Sequence, residues 1–137
     1  MKTRTLWLLV VVTVVCVPVA LVAFADDAMH VTTLALASYD FDDGSGPQPA
    51  VMADLTSTDP NDWSWHVTWF VQPPGGAEAL YGTAEVAKDH PAEPPSGVGA
   101  AIALSGLSPA ATVRAYYEAK DQSGIVRFSF SRTVVVP

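Results

Sequence analysis

The sequence predicts an all-β domain, a seven-stranded antiparallel β-sandwich, preceded by one N-terminal transmembrane helix. After residue 26 the apolar residues recur with a period of two, which is typical of strands, and not with the helical period of 3.6. Seven such segments follow one another at a spacing of about 8–12 residues, which favours a two-sheet sandwich. The 20 residues from position 6 to 25 carry no charge, and the remainder of the 137-residue chain is long enough for one domain.

The first segment, residues 1–25, has the pattern of a membrane anchor. Its 20 uncharged residues would span about 30 Å as a helix, the thickness of a bilayer's hydrocarbon core. Lys2 and Arg4 precede this run and place the N-terminus in the cytoplasm. Residues 26–137 are then an extracytoplasmic domain, periplasmic or extracellular. The residues predicted to contact lipid are Trp7, Leu8, Leu9, Val12, Val15, Val19 and Val22.

A cleaved secretory signal peptide is the alternative interpretation of the same segment. It would have a basic start, an apolar middle, a helix breaker at Pro18 and a small-x-small cleavage site at Ala23-Phe24-Ala25. The residues support the two interpretations about equally; we expect an uncleaved anchor, and both interpretations place the domain outside the cytoplasm. The only cysteine, Cys16, lies in this segment, so residues 26–137 form no intrachain disulfide.

The first three predicted strands cover residues 30–38, 50–56 and 63–71. In the first, Leu34 and Leu36 lie on one face. The third has the clearest alternation, with polar side chains on one face and large apolar side chains on the other. The apolar set is Trp63, Trp65, Val67, Trp69 and Val71. A Pro-Pro-Gly-Gly sequence at residues 73–76 ends this strand.

The other four predicted strands cover residues 80–87, 98–104, 112–120 and 125–136. Residues 112–120 show the same alternation, with Val113, Ala115, Tyr117 and Ala119 on one face. A turn at residues 121–124 separates the last two strands. Residues 40–49 and 88–97 are polar and rich in proline and glycine, which predicts two loops.

Two short motifs lie in the C-terminal third. Leu104-Ser105-Gly106-Leu107-Ser108-Pro109 precedes the sixth strand, and Ala119-Lys120-Asp121-Gln122-Ser123-Gly124 ends it. This arrangement resembles a fibronectin type III or related immunoglobulin-like domain, in which a Leu-x-Pro turn leads into the sixth strand. The resemblance implies an immunoglobulin-like sandwich. Val113 stands where that family has a corner tyrosine, so the hydrogen-bonded corner of the family is missing or replaced.

Charge and motif content exclude several functions. Residues 26–137 contain fourteen acidic and five basic residues, a net charge of −9, which repels phosphate backbones and excludes nucleic acid as a partner. We find no nucleophile elbow, phosphate loop or dinucleotide fingerprint. The domain is therefore predicted not to be an enzyme, with no catalytic residues and no cofactor.

Two groups of potential metal ligands are present in the sequence. Asp40, Asp42 and Asp43 surround a glycine turn, but the glycine and glutamate positions differ from an EF-hand, which favours a solvated turn over a cation site. His30, His66 and His90 share no ligand spacing. We therefore predict no metal site unless the fold brings the histidines together.

The three tryptophans of residues 63–71 are the most informative cluster. They span about 20 Å of strand on one face, a length that a small sandwich has difficulty burying. Either all three belong to the core, or a tryptophan at the end packs on a partner or at the membrane surface. The predicted contact residues are Trp63, Trp65, Trp69, Phe70 and Tyr116.

These observations predict a non-catalytic, single-pass accessory or structural subunit that stabilises a larger membrane protein complex. A complex of the respiratory or photosynthetic reaction-centre type would suit this architecture. Its partners would be other membrane subunits and the lipid bilayer. The alternatives are a pilin-like filament or surface-adhesion subunit, and a secreted module that binds a ligand through its loops.

Overall fold

Two antiparallel sheets pack face to face in the computed structural model, which describes residues 23–25 and 27–137. The strands are β1 (Ala23–Ala25), β2 (His30–Asp40), β3 (Pro47–Ser57), β4 (Ser64–Gln72), β5 (Ala79–Ala87), β6 (Gly97–Ala103), β7 (Thr112–Lys120) and β8 (Val126–Val135). A 3-10 turn at Leu104–Gly106 follows β6. The all-β prediction is confirmed, because each of the seven predicted strands forms within three residues of its expected limits.

The shortest strand, β1, was not predicted. Residues 23–25 were assigned to the end of the anchor, but Ala23 pairs with Thr33 and Ala25 with Val31. These three residues form the edge of the first sheet. No helix in residues 23–25 and 27–137 is long and apolar enough to cross a membrane. The predicted lipid contacts, from Trp7 to Val22, lie outside the described residues.

The strand order is β1-β2-β3-β6 in one sheet and β5-β4-β7-β8 in the other. Antiparallel pairing brings four connections to the same end of the sandwich, which we call the loop end. These are residues 27–29, 58–63, 88–96 and 121–125. Because β1 is antiparallel to β2, it points toward the loop end, where β2 begins.

Two large core side chains lie opposite small ones on the neighbouring strands. Trp65 lies opposite Ala119 of β7, and Trp69 lies between Ala115 of β7 and Gly82 of β5. Both indoles are almost wholly buried. The predicted alternation of β7 is confirmed, since its apolar face is fully buried. The sandwich therefore accommodates two tryptophans from one strand because their neighbours leave room for them.

Polar contacts join the two sheets where β2 lies against β8. The Tyr117 hydroxyl donates a hydrogen bond to the Thr33 carbonyl of the opposite sheet. Arg132 Nε on β8 donates to Thr32 Oγ1 on β2 over 2.8 Å. Tyr117 thus provides a hydrogen bond between the sheets, while Val113 is part of the core.

Replacement of Gly97 by alanine tests the close approach of β3 and β6. A Cβ atom at this position would overlap the Leu55 carbonyl oxygen of the paired strand. We expect Gly97→Ala to lower the free energy of unfolding by about 2 kcal/mol and the melting temperature by about 10 °C. Gly82→Ala is the matched control, because a Cβ there meets open space. Equal melting temperatures for the two variants would contradict this account of the packing.

Candidate functional site

A buried histidine forms the centre of the loop end. His30, the first residue of β2, is 2% exposed. Its Nδ1 lies 2.8 Å from Asp27 Oδ2, and its Nε2 lies 2.7 Å from Asp62 Oδ2. The imidazole stacks on the Phe128 ring of β8, with centroids 4.2 Å apart and planes within 3°. His30 therefore joins the start of β2, the connection between β3 and β4, and the opposite sheet.

Asp62 is held by a second set of hydrogen bonds. The Ser57 hydroxyl donates to Asp62 Oδ2 over 2.6 Å, and the Asp62 amide donates to the Asp59 carbonyl over 3.2 Å. The other carboxylate oxygen, Oδ1, is buried and has no hydrogen-bond partner. An acceptor left in this state costs free energy unless another group satisfies it.

Asp59 lies beside this group and is also buried. Its Oδ1 accepts hydrogen bonds from the Asn61 amide, at 2.9 Å, and from the Asn61 side chain, at 3.1 Å. Its Oδ2 lies 3.8 Å from Arg127 Nε. His30, Asp59 and Asp62 each offer one ligand atom, and these atoms lie within 4.8 Å of one another. We call these three residues the His30 cluster.

The two carboxylates determine the charge of the imidazole. Burial alone would lower the pKa of His30, but the hydrogen bonds and negative charges of Asp27 and Asp62 outweigh it and raise this pKa above the ordinary 6.5. Burial raises the pKa of Asp27. The hydrogen bonds from the Met29 amide and from His30 lower this pKa by more, so it lies below the ordinary 3.8. The folded domain thus favours an imidazolium between two carboxylates.

A cleft of about 330 Å³ opens on the surface beside the cluster. It is lined by Pro60, Asn61, Trp63, Lys88, Pro91, Asp121, Gln122, Ser123 and Arg127. Lys88 is buried, its Nζ donating to the Pro60 carbonyl over 3.3 Å and lying 5.8 Å from the centroid of the Trp65 ring. Trp63 is half-buried, so part of its indole remains accessible in the cleft.

Comparisons with protein families, curated proteins and solved structures found no match to this chain. At the loop end, the Ser57 hydroxyl donates to the Asp62 carboxylate and not to the imidazole.

The structure divides the five predicted contact residues among three places. Trp65 and Trp69 are in the core, so neither is available to a partner of the folded domain. Each of these two indoles lies opposite an alanine of β7. Trp63 lines the cleft. Phe70 and Tyr116 are half-buried outside it.

Phe70 of β4 and Tyr116 of β7 lie on neighbouring strands, on the face of their sheet directed away from the core. Phe70 is covered by the Arg114 guanidinium, whose carbon lies 4.1 Å from the ring centroid. Arg114 also pairs with Glu78 at 2.7 Å. Phe70 thus already has a partner within the domain.

The histidines and the acidic loop occupy separate positions. His66 is on the outer face of β4, where its Nε2 lies 3.0 Å from Ser64 Oγ. His90 is exposed in the loop between β5 and β6. In the loop after β2, Asp40 accepts from the Asp42 amide and Asp43 from the Ser45 amide, both at 2.9 Å. These two carboxylates therefore stabilise the turn itself.

Sequence analysis identified His30 but not its partners. Asp62 is 32 positions away in the chain, so no ligand spacing reveals the pair. A usable signal was present, since Asp27 and the Asp59-Pro60-Asn61-Asp62 turn stand directly before β2 and β4. Only the strand order shows that the starts of β2 and β4 lie at the same end of the sandwich.

We expect the stability of the metal-free protein, measured in EDTA, to depend on pH because the His30 imidazolium loses its proton as the pH rises. Because folding raises the pKa of His30, the protonated imidazole contributes its full stabilisation to the folded protein below pH 6.5. This contribution is lost as the pH rises through the pKa that His30 has in the folded state. Asp27 contributes above pH 3.8 and its contribution is lost as the pH falls through its lowered pKa. We expect the melting temperature to be highest between these limits and to decline toward pH 9.

His30→Gln should flatten the decline above pH 6.5, because glutamine does not titrate. His66→Gln is the matched control, since His66 lies outside the cluster, and it should keep the wild-type profile. An unchanged decline in His30→Gln would show that another group is responsible.

Proposed function

We propose that this chain is a non-catalytic accessory subunit whose domain binds a neighbouring protein through the cleft at the loop end. The observation that carries the proposal is the half-buried Trp63 at the opening of a polar cleft. Tryptophan and arginine are the residues that most often anchor protein interfaces, and both line this cleft. The uncharged residues 6–25 support attachment to a membrane, where the partner would be another subunit of a larger complex.

The strand order supports an immunoglobulin-like arrangement for the proposed binding domain. If β2 is counted as the first strand, one connection at the loop end joins the second strand to the third, and another joins the sixth to the seventh. In antibody variable domains the corresponding connections carry the antigen-binding loops. β5 pairs with β4, which extends the sheet of β7 and β8 as the additional strands of variable domains do.

The charges of the cleft indicate the chemistry of the partner's surface. Two of the five basic side chains of an otherwise acidic domain, Lys88 and Arg127, line it. The Lys88 ammonium has three donors, one of which the Pro60 carbonyl accepts. A partner loop that presents carbonyl or carboxylate oxygens beside an apolar group would match these donors and the Trp63 indole. The domain's charge of −9 disfavours uniformly acidic neighbours.

Trp63→Ala tests the cleft directly. Loss of an aromatic anchor costs about 2 kcal/mol, a weakening of about thirtyfold, so the tagged full-length variant should no longer co-purify with its complex from detergent-solubilised membranes. Tyr39→Ala is the matched control, because Tyr39 is an exposed aromatic at the opposite end of the sandwich. It should co-purify normally.

Melting curves separate a binding defect from a folding defect. Trp63→Ala should keep its melting temperature within about 5 °C of the wild type, whereas Trp65→Ala, which leaves a large core cavity, should lose much more. Normal co-purification of a folded Trp63→Ala variant would refute the proposed contact.

The native N-terminus distinguishes an anchored subunit from a secreted module. We expect residues 1–25 to be retained and the protein to fractionate with membranes. Cleavage after Ala25 would remove β1 from the sheet and uncover the edge of β2 at Val31–Thr33. N-terminal sequencing of the native protein that gave Asp26 as the first residue would favour the secreted ligand-binding module.

A further inference from the structure

We propose that the His30 cluster is a binding site for a divalent first-row transition metal such as Zn²⁺, with His30 Nε2 and the carboxylates of Asp59 and Asp62 as ligands. All three residues are more than nine-tenths buried. One imidazole and two carboxylates form a nitrogen and oxygen donor set that suits Zn²⁺. A water molecule from the adjacent cleft would complete four-coordination.

The distances in the cluster need only a small adjustment to accept the ion. Tetrahedral zinc with ligands at about 2.0–2.2 Å holds its ligand atoms roughly 3.3–3.5 Å apart. His30 Nε2 and Asp62 Oδ2 are now 2.7 Å apart, the separation of a hydrogen bond, and the ligand atoms of all three residues lie within 4.8 Å. Asp59 is in a turn and its Oδ2 is only loosely paired with Arg127, so its carboxylate can approach.

The surroundings of the cluster have the form of an outer shell that orients metal ligands. A metal-binding histidine almost always has its second ring nitrogen hydrogen-bonded to a carboxylate, a carbonyl or water. Asp27 holds His30 Nδ1 in this way, which directs Nε2 toward Asp62. Ser57 donates to the Asp62 carboxylate, and Asn61 donates twice to that of Asp59.

A second, independent observation points to a missing ligand. Asp62 is 1% exposed, and its Oδ1 has no hydrogen-bond partner. A buried carboxylate oxygen without a donor is unusual, and a cation bound by the carboxylate would compensate its charge. In the metal-free protein, a proton between His30 and Asp62 occupies the place that the ion would take.

The test uses the full-length chain in mild detergent with the substitutions Cys16→Ser, His66→Ala and His90→Ala. This background leaves His30 as the sole histidine and removes the sole cysteine. After treatment with EDTA and its removal, ZnCl₂ is added to one equivalent at pH 7. We expect calorimetry to show one site, the melting temperature to rise, and the His30 imidazole ¹⁵N spectrum to show metal bound at Nε2 and a proton retained at Nδ1.

Two variants in this background separate ligands from other effects. Asp62→Asn should weaken Zn²⁺ binding by at least about a hundredfold, and Asp27→Asn, which changes only the outer shell, by about ten- to a hundredfold. Asp54→Asn is the matched control, because Asp54 lies on β3 outside the His30 cluster, and it should bind Zn²⁺ as the background does. If one equivalent of Zn²⁺ leaves the His30 ¹⁵N resonances unchanged, the cluster holds a proton only and the proposal is wrong. This spectrum is recorded on the background protein. Its outcome therefore depends neither on whether the aspartate variants fold nor on the existence of a partner protein.

Discussion

The loop end of this domain depends on a buried imidazole placed between two carboxylates. His30 fixes the start of β2 through Asp27, the turn before β4 through Asp62, and the opposite sheet through its stack on Phe128. Removal of the buried Asp62 carboxylate would leave the imidazolium with one partner instead of two, a change that is more costly than loss of a surface ion pair. The shape of the neighbouring cleft therefore depends on electrostatic contacts as well as on the apolar core.

The core determines which tryptophan is available for binding. Trp65 lies opposite Ala119 and Trp69 opposite Ala115 of β7, and both indoles are buried in the core. Trp63 precedes β4, beyond the last strand pairs, where the sheets no longer cover it fully. Its backbone is nevertheless fixed, since its amide donates to the Lys120 carbonyl over 2.7 Å and its carbonyl accepts from the Lys88 amide over 2.9 Å. An accessible aromatic on a rigid backbone loses little conformational freedom when it binds.

Periodicity was sufficient to predict the strands because most of them bury alternate side chains, and β7 shows this most directly with its four buried residues at alternate positions. It was insufficient for the site, because His30 begins β2 whereas Asp59 and Asp62 lie in the connection between β3 and β4, and only the sheet order brings them together. It was also insufficient for the tryptophans. The capacity of a core depends on cross-strand neighbours, and the register that places Ala115 and Ala119 opposite Trp69 and Trp65 cannot be derived from one strand alone. β1 was missed because three residues at the end of an apolar run carry no alternation of their own.

The direction of β1 has a practical consequence for studies of the cleft. The chain passes through Ala23 while travelling toward the loop end, and β8 travels the other way to finish near Pro137, which lines a small apolar hollow with Leu36 and Leu104 at the opposite end. The polypeptide therefore both enters and leaves the described domain away from Trp63. Attachment of the described domain to a sensor surface through Pro137 should leave the cleft facing the solution, where a partner can reach it without steric hindrance from the attachment.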